Sequence, residues 1–172
     1  MKLKLDLHTH CFETLNPHLV TLPLEESAKQ IITAIKAKGL DGIAITEHWH
    51  EDYGFKVKEI VSRLFNDEVL IIPGREINFN LQHVVELYLA NNTVFRFVSH
   101  PGFPLDLGDD FARIHGIELN NPYNYIDQEK VKALAGKHNL LLLSNSDAHD
   151  LKDIGHYYNE IDPEELYSRA KL

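Results

Sequence analysis

Apolar positions in this chain repeat with two periods. From Lys2 to His10 they alternate with polar ones, Leu3, Leu5 and Leu7 against Lys4, Asp6, His8 and His10, which is the two-residue period of a strand. Strict alternation sets both histidines side by side on the face opposite the leucines. Residues 11–24 show no period and contain Asn16-Pro17 and Leu22-Pro23, so a loop is expected. Glu25 to Lys38 repeats at helical spacing through Ala28, Ile31, Ile32 and Ile35, with Gly39 placed to close the helix.

The same alternation of elements continues. Short apolar strands are predicted at 42–46, 69–74, 83–90, 94–99, 116–119 and 140–143, with helices over 56–65 and 128–138. An apolar-polar segment spans 154–161, and a last helix starts at Pro163 with Asp162 as its N-cap. Neither repeats nor linkers divide the chain, so residues 1–172 read as one domain. Buried strands alternating with helices imply an α/β fold with a largely parallel sheet. In such folds, ligands collect beyond the carboxyl ends of the strands. Here those ends carry His8 and His10, Glu47 and His48, Glu76, His100, Glu118 and Asn120, and Asp147 and His149.

Composition sharpens this picture. Eleven histidines in 172 residues is more than twice the usual share of roughly 2–3%, and five of them directly follow apolar strand runs. The net charge of −9 argues against a broad basic surface for nucleic acid. No apolar run reaches the ~18 residues a membrane span needs. The N-terminus opens into a strand and not into a signal peptide, so a cytoplasmic protein is expected. The single cysteine, Cys11, fits a reducing compartment and lies on the face away from His8 and His10.

An H-x-H pair at a strand end is a two-point anchor for a transition metal. By itself it is a weak signal, but here it recurs in company. Asp6-Leu7-His8-Thr9-His10, Thr46-Glu47-His48, Pro73-Gly74-Arg75-Glu76, Ser99-His100-Pro101 and Ser146-Asp147-Ala148-His149 stand in order along nearly the whole chain. In these motifs the sequence resembles the PHP (polymerase and histidinol phosphatase) family. The resemblance implies a distorted (β/α)7 barrel with two or three divalent ions, Zn, Mn or Fe, at its C-terminal rim. It implies that His8, His10, Glu76 and Asp147 hold one ion, with Glu76 bridging to another, that His48 and His149 serve a second, and that His100 serves a third. Two positions depart from the family pattern. The ligand usually found shortly after H-x-H falls to Glu13 or His18, with Glu13 preferred. No histidine follows the strand 116–119, leaving Glu118 or Asn120 to substitute.

The implied chemistry is hydrolysis of a small phosphomonoester or a nucleotide-like phosphodiester by a metal-activated hydroxide. Arg75, next to Glu76, is a candidate for binding phosphate oxygens, weighed against a surface or ion-paired arginine. Asp6 is a candidate for supporting an imidazole from behind, and Thr46 and Asn145 for orienting ligands. His83 could face the barrel mouth, whereas His50, His115, His138 and His156 read as surface or capping residues. Competing readings are a metal-dependent exonuclease, a non-catalytic metal-binding PHP domain, and a hydrolase of C–N bonds. The last usually needs a longer, eight-stranded barrel. A small phosphorylated substrate is the expected partner, nucleic acid is disfavoured, and no membrane is involved.

Overall fold

The structure, a computed structural model, describes residues 1–15, 22–105 and 107–171. Asn16-Pro17 and His18 therefore lie outside the described residues. The chain runs β1 (Leu3–Thr9), α1 (Cys11–Leu15), α2 (Leu24–Ala37), β2 (Gly42–Ile45), α3 (Tyr53–Phe65), β3 (Leu70–Phe79), β4 (Gln82–Tyr88), β5 (Val94–Ser99), β6 (Gly116–Asn120), α4 (Gln128–His138), β7 (Leu141–Ser144), β8 (Asn159–Ile161) and α5 (Pro163–Arg169). The strands form one sheet in the order β7-β6-β5-β4-β3-β2-β1-β8. Its β1–β2, β2–β3, β5–β6 and β6–β7 ladders are parallel, and β3–β4, β4–β5 and β1–β8 are antiparallel. A single bridge between Thr9 and Ala148 brings the ends together, and the sheet curls into a distorted, nearly closed barrel. Among the described residues, no helix is long and apolar enough to cross a membrane.

Local chemistry explains most of the elements. Helix α2 buries Ala28, Ile31, Ile32 and Ile35, the stripe its sequence period predicts. It ends at Gly39, with φ +66°, where Gly39 N donates to Lys36 O and Leu40 N to Ile35 O, the paired bonds of a Schellman cap. At α5 the Asp162 side chain accepts from Glu164 N at 3.2 Å, as an N-cap residue should. Strand β3 is longer than the apolar run predicts, because it forms a hairpin with β4. The turn residues Asn80 and Leu81 both have positive φ, +47° and +65°, the twist that two-residue hairpins prefer. Leu81 in place of glycine conceals that turn in the sequence.

Leu5, Leu7, Ala44, Ile72, Val85, Leu87, Phe95, Phe97 and Leu143 fill the barrel, and Leu166 of α5 packs into the same cluster. Each such large apolar side chain contributes about 1.5–3 kcal/mol. Helices α2 and α3 cover β2 and β3 from outside through a second cluster, and α4 with the 108–113 turn covers β4 to β6 through a third. The lower end of the barrel is thus sealed with apolar groups, while the upper rim is left for polar ones.

Strand β1 does not keep the strict alternation expected of it. Asp6 is opposite Ile43 but Thr9 is opposite Ile45, so β1 carries one extra residue in a bulge. Leu7 joins the interior cluster, and the His8 ring meets the interior Phe97 ring edge-on at 6.3 Å. The bulge therefore puts the histidines above the leucines on the inner face, whereas alternation alone places them opposite. Bulges of this kind commonly re-aim a side chain beside a functional site.

Gly74 of the Pro-Gly-Arg-Glu motif sits where a Cβ would lie 2.5 Å from the Glu86 carbonyl oxygen and 3.0 Å from Thr46 Cγ2. The β3–β4 approach leaves no room for a methyl group. Gly74→Ala is expected to destabilise the fold by about 1–3 kcal/mol, read as a lower midpoint in urea unfolding. An unchanged midpoint would show that the approach is not needed.

Candidate metal centre

At the carboxyl rim of β1, β2 and β5, and from the hairpin strands β3 and β4, imidazoles converge on two carboxylates. Glu76, on the inner face of β3 and 1% exposed, lies at the middle: its Oε2 is 2.9 Å from His48 Nε2, 3.4 Å from His8 Nε2 and 3.6 Å from His10 Nε2. Its Oε1 is 3.0 Å from His100 Nε2 and 3.3 Å from His83 Nδ1, and accepts from Ser99 Oγ at 2.7 Å. Asp147 follows β7, and its Oδ1 is 3.2 Å from His10 Nε2, 3.5 Å from His8 Nε2 and 3.6 Å from His149 Nδ1. Glu13 of α1 reaches His48 Nδ1 at 3.2 Å and His149 Nε2 at 3.8 Å.

Behind these groups stands a layer of fixed hydrogen bonds. Glu118, fully buried on β6, faces His8 Nδ1 at 3.2 Å and accepts from Asn145 Nδ2 at 2.8 Å, Asn121 Nδ2 at 3.2 Å and His100 N at 2.7 Å. A carboxylate on Nδ1 holds the proton there and turns the Nε2 lone pair toward the centre. His8 Nε2 and His10 Nε2 are 3.2 Å apart, aimed at one point. Glu47 caps α1 by accepting from Phe12 N at 2.6 Å, which holds the turn that presents Glu13. His100 and Asp147 have positive φ, +29° and +50°, and non-glycine residues in that region concentrate at functional sites.

The electrostatics are those of a cation site. Burial opposes charge on Glu76, yet the charge of His8 and the hydrogen bonds of His100, His48 and His8 hold it far below the ordinary carboxylate range. Asp147 is likewise lowered despite burial, by the imidazoles of His10 and His8. His48 is pushed up to about 9 by its bond to Glu76. His8 is raised well above its ordinary value, burial being overcome by Glu76 and Glu118. His10 goes the other way, to about 4, because burial dominates. Protons on imidazoles thus balance carboxylates that a divalent ion would otherwise balance.

The donors fit such an ion. Buried Asp147 Oδ1 accepts no hydrogen bond among the described residues, although three imidazole nitrogens surround it. Three overlapping groups each bring their ligand atoms within 4.8 Å of one another: His8, His10 and Glu76; His10, Glu13, His48 and His149; and His48, Glu76 and His83. Mixed imidazole and carboxylate donors suit Zn, Mn or Fe.

Residues 126–172, which include Asp147 and His149, match the family model described as PHP-associated. That match covers about a quarter of the chain. Two solved structures share its fold. PsfC from Pseudomonas syringae superposes with a TM-score of 0.67 at 17% identity, over 97% of this chain and 88% of that one. A Bifidobacterium adolescentis protein provisionally named a metal-dependent phosphoesterase gives 0.65 at 13% identity, over 95% of this chain and 94% of that one. No curated protein matches the chain in sequence.

The candidate ligands His8, His10, Glu13, His48, Glu76, His100, Asp147 and His149 all meet at this rim. Two sequence candidates do not. Arg75 precedes Glu76 on a strand and so projects from the opposite face. There its guanidinium pairs with Glu86 at 2.8 Å and Glu51 at 2.6 Å, and Glu86 pairs in turn with Arg96. Asp6 supports no imidazole: the bulge separates it from His8, and its carboxylate binds Ser146 N at 3.1 Å, Ser146 Oγ and Gly155 N at 2.9 Å. Thr46 links β1 to β2 through Thr9. Asn145 orients His8 only through Glu118, and Asn120 faces Ser144 and Gln128. His83 joins the centre from β4, directly opposite Ser99. Its sequence signal is its place at the start of the predicted strand 83–90, two residues from the inward Val85.

Metal uptake should release protons. Metal-free His48, with a pKa of about 9, is protonated at pH 7, and a cation on its nitrogen displaces that proton. Apparent affinity should therefore rise with pH up to about 9. The same proton stabilises the metal-free fold below its unfolded value of 6.5, and that contribution is lost as pH rises through 9. Manganese titration calorimetry in two buffers of different ionisation heat checks this. Equal heats in both would count against proton displacement.

Proposed function

We propose that this chain is a metal-dependent phosphoesterase that hydrolyses a small phosphomonoester or a nucleotide-like phosphodiester. The observation that carries the reading is the convergence of His8, His10, His48, His83 and His100 on one buried carboxylate, Glu76. His8, His10, Glu76 and Asp147 would hold one ion, Glu13, His48 and His149 a second, and Glu76, His83 and His100 a third. Bound divalent ions supply an activated water and positive charge against the charge that builds on phosphoryl oxygens. Glu118 and Ser99 keep His8 and Glu76 in fixed orientations, which leaves the site preorganised.

The rim is open. His149 is 47% exposed, His83 39%, Glu13 34% and His48 30%, so a phosphate group can reach the centre without entering a deep pocket. Among the described residues, no lysine or arginine forms an ion pair with Glu13, Glu76 or Asp147. Recognition of phosphate then rests on the ions and their imidazoles. The net charge of −9 favours a small substrate over a nucleic acid, and the assembled ligand set disfavours a non-catalytic domain. The buried free thiol of Cys11 fits a cytoplasmic location.

The test is metal content after purification without chelator, with manganese-supplemented hydrolysis of chromogenic mono- and diester phosphates. We expect bound metal, and activity that chelation abolishes. His8→Ala and Asp147→Asn should retain their circular dichroism yet lose more activity than the ~10–100-fold typical of removing a group that only supports a ligand. Full activity in both variants defeats the reading.

A further inference from the structure

Among the described residues, the barrel closes without a ladder between β7 and β8, the strands at the two ends of its sheet, and a pair of asparagines spans that gap. Strand β8 returns antiparallel beside β1, with Asn159 opposite Leu5, which leaves β7 and β8 at the two ends of the sheet. Across that gap Asn159 Oδ1 accepts from Ser144 N at 2.9 Å. Its Nδ2 donates to Ser144 O at 3.0 Å, Asn145 Oδ1 at 2.8 Å and Leu5 O at 3.3 Å. Fully buried Asn145 accepts from Leu7 N at 3.1 Å and donates to Glu118 Oε1 at 2.8 Å. The same Glu118 oxygen faces His8 Nδ1 at 3.2 Å.

Backbone groups fix the sense of every amide in this series. Ser144 N–H can only donate, so it must meet the oxygen of Asn159, which turns the Asn159 amino group toward Asn145. Leu7 N–H likewise requires the oxygen of Asn145, which turns the Asn145 amino group toward Glu118. Glu118 then receives two hydrogens on one oxygen, from Asn145 and from His8. We propose that Asn159 is a positioning residue for the metal centre, acting through Asn145 and Glu118 on the orientation and tautomer of His8. The inference rests on the metal reading of His8.

Replacing Asn159 by aspartate keeps the shape and the bond from Ser144 N but removes the donors. Asn145 then gains by turning its amino group outward, which sets its oxygen against Glu118 and strips Leu7 N of its acceptor. Buried groups facing like partners cost free energy, and the strain falls on His8.

The experiment is titration of the metal-free full chain with cobalt(II), followed by the visible absorption of the bound ion. Metal-free thermal melting is measured in parallel. In Asn159→Asp, cobalt affinity should fall about 10-fold and the band shape should change. Should that variant not fold, Asn159→Ala supplies the same readout. Ile161→Ala is the control: Ile161 lies on the same strand and only packs in the core, so it should lower the melting temperature without altering affinity or spectrum. Unchanged cobalt binding in the Asn159 variants overturns the inference and leaves the metal reading standing. An equal shift in Ile161→Ala overturns it too, since loosened β8 alone would then explain the effect. A wild-type chain that binds no cobalt overturns the metal reading and this inference together.

Discussion

A carboxylate that is 1% exposed, with five imidazoles within 3.6 Å, cannot stay ionised without positive charge beside it. Glu76 sets that demand, and the upper half of the barrel is arranged to meet it. Strand β1 sends His8 and His10, the turn after β2 sends His48, β4 sends His83, and the turn after β5 sends His100. Protons on the imidazoles satisfy the demand in the metal-free chain, and a divalent ion would satisfy it better, since it brings two charges and accepts several lone pairs at once. Apolar packing from Phe97 and Leu7 beneath removes water as an alternative.

Among the described residues, the two ends of the sheet, β7 and the β1–β8 pair, meet through polar side chains and not through a strand ladder. Asp6 grips the backbone of Ser146 and Gly155, while Asn145 and Asn159 bridge β7 to β1 and β8. These bonds fix Asp147 and His149, which come late in the chain, against His8 and His10, which come early. A regular ladder would tie the seam more evenly, but its register would continue the strands past the point where the ligands must turn inward. The amide contacts allow β7 to end at Ser144 and Asp147 to adopt its left-handed backbone.

Much of this was legible residue by residue. Helices α2, α4 and α5 follow from apolar period and caps, and the motif histidines and acids at strand ends do meet at one rim. The short helix α1 was not legible. It falls where breakers predict a loop, and Glu47, 35 positions on, caps it. The bulge in β1 was hidden because an extra residue leaves the period intact and shows only against β2. His83 was legible only as a residue able to face the barrel mouth: the Asn80-Leu81 turn lacks glycine, so the hairpin that carries it to Glu76 has no local signature.

What the sequence by itself determined is therefore the inventory: the alternating strands and helices of an α/β fold, the strands that end in candidate ligands, and a donor set suited to divalent transition metals. These are properties of residue type and short-range spacing. Tertiary structure decided which face each group takes and what stands behind it. Arg75 turned away to Glu86 and Glu51, Asp6 became a clasp, Glu118 became the support of His8, and Asn159 entered the network from far along the chain. Orientation depends on register between strands distant in sequence, and no local pattern encodes that register.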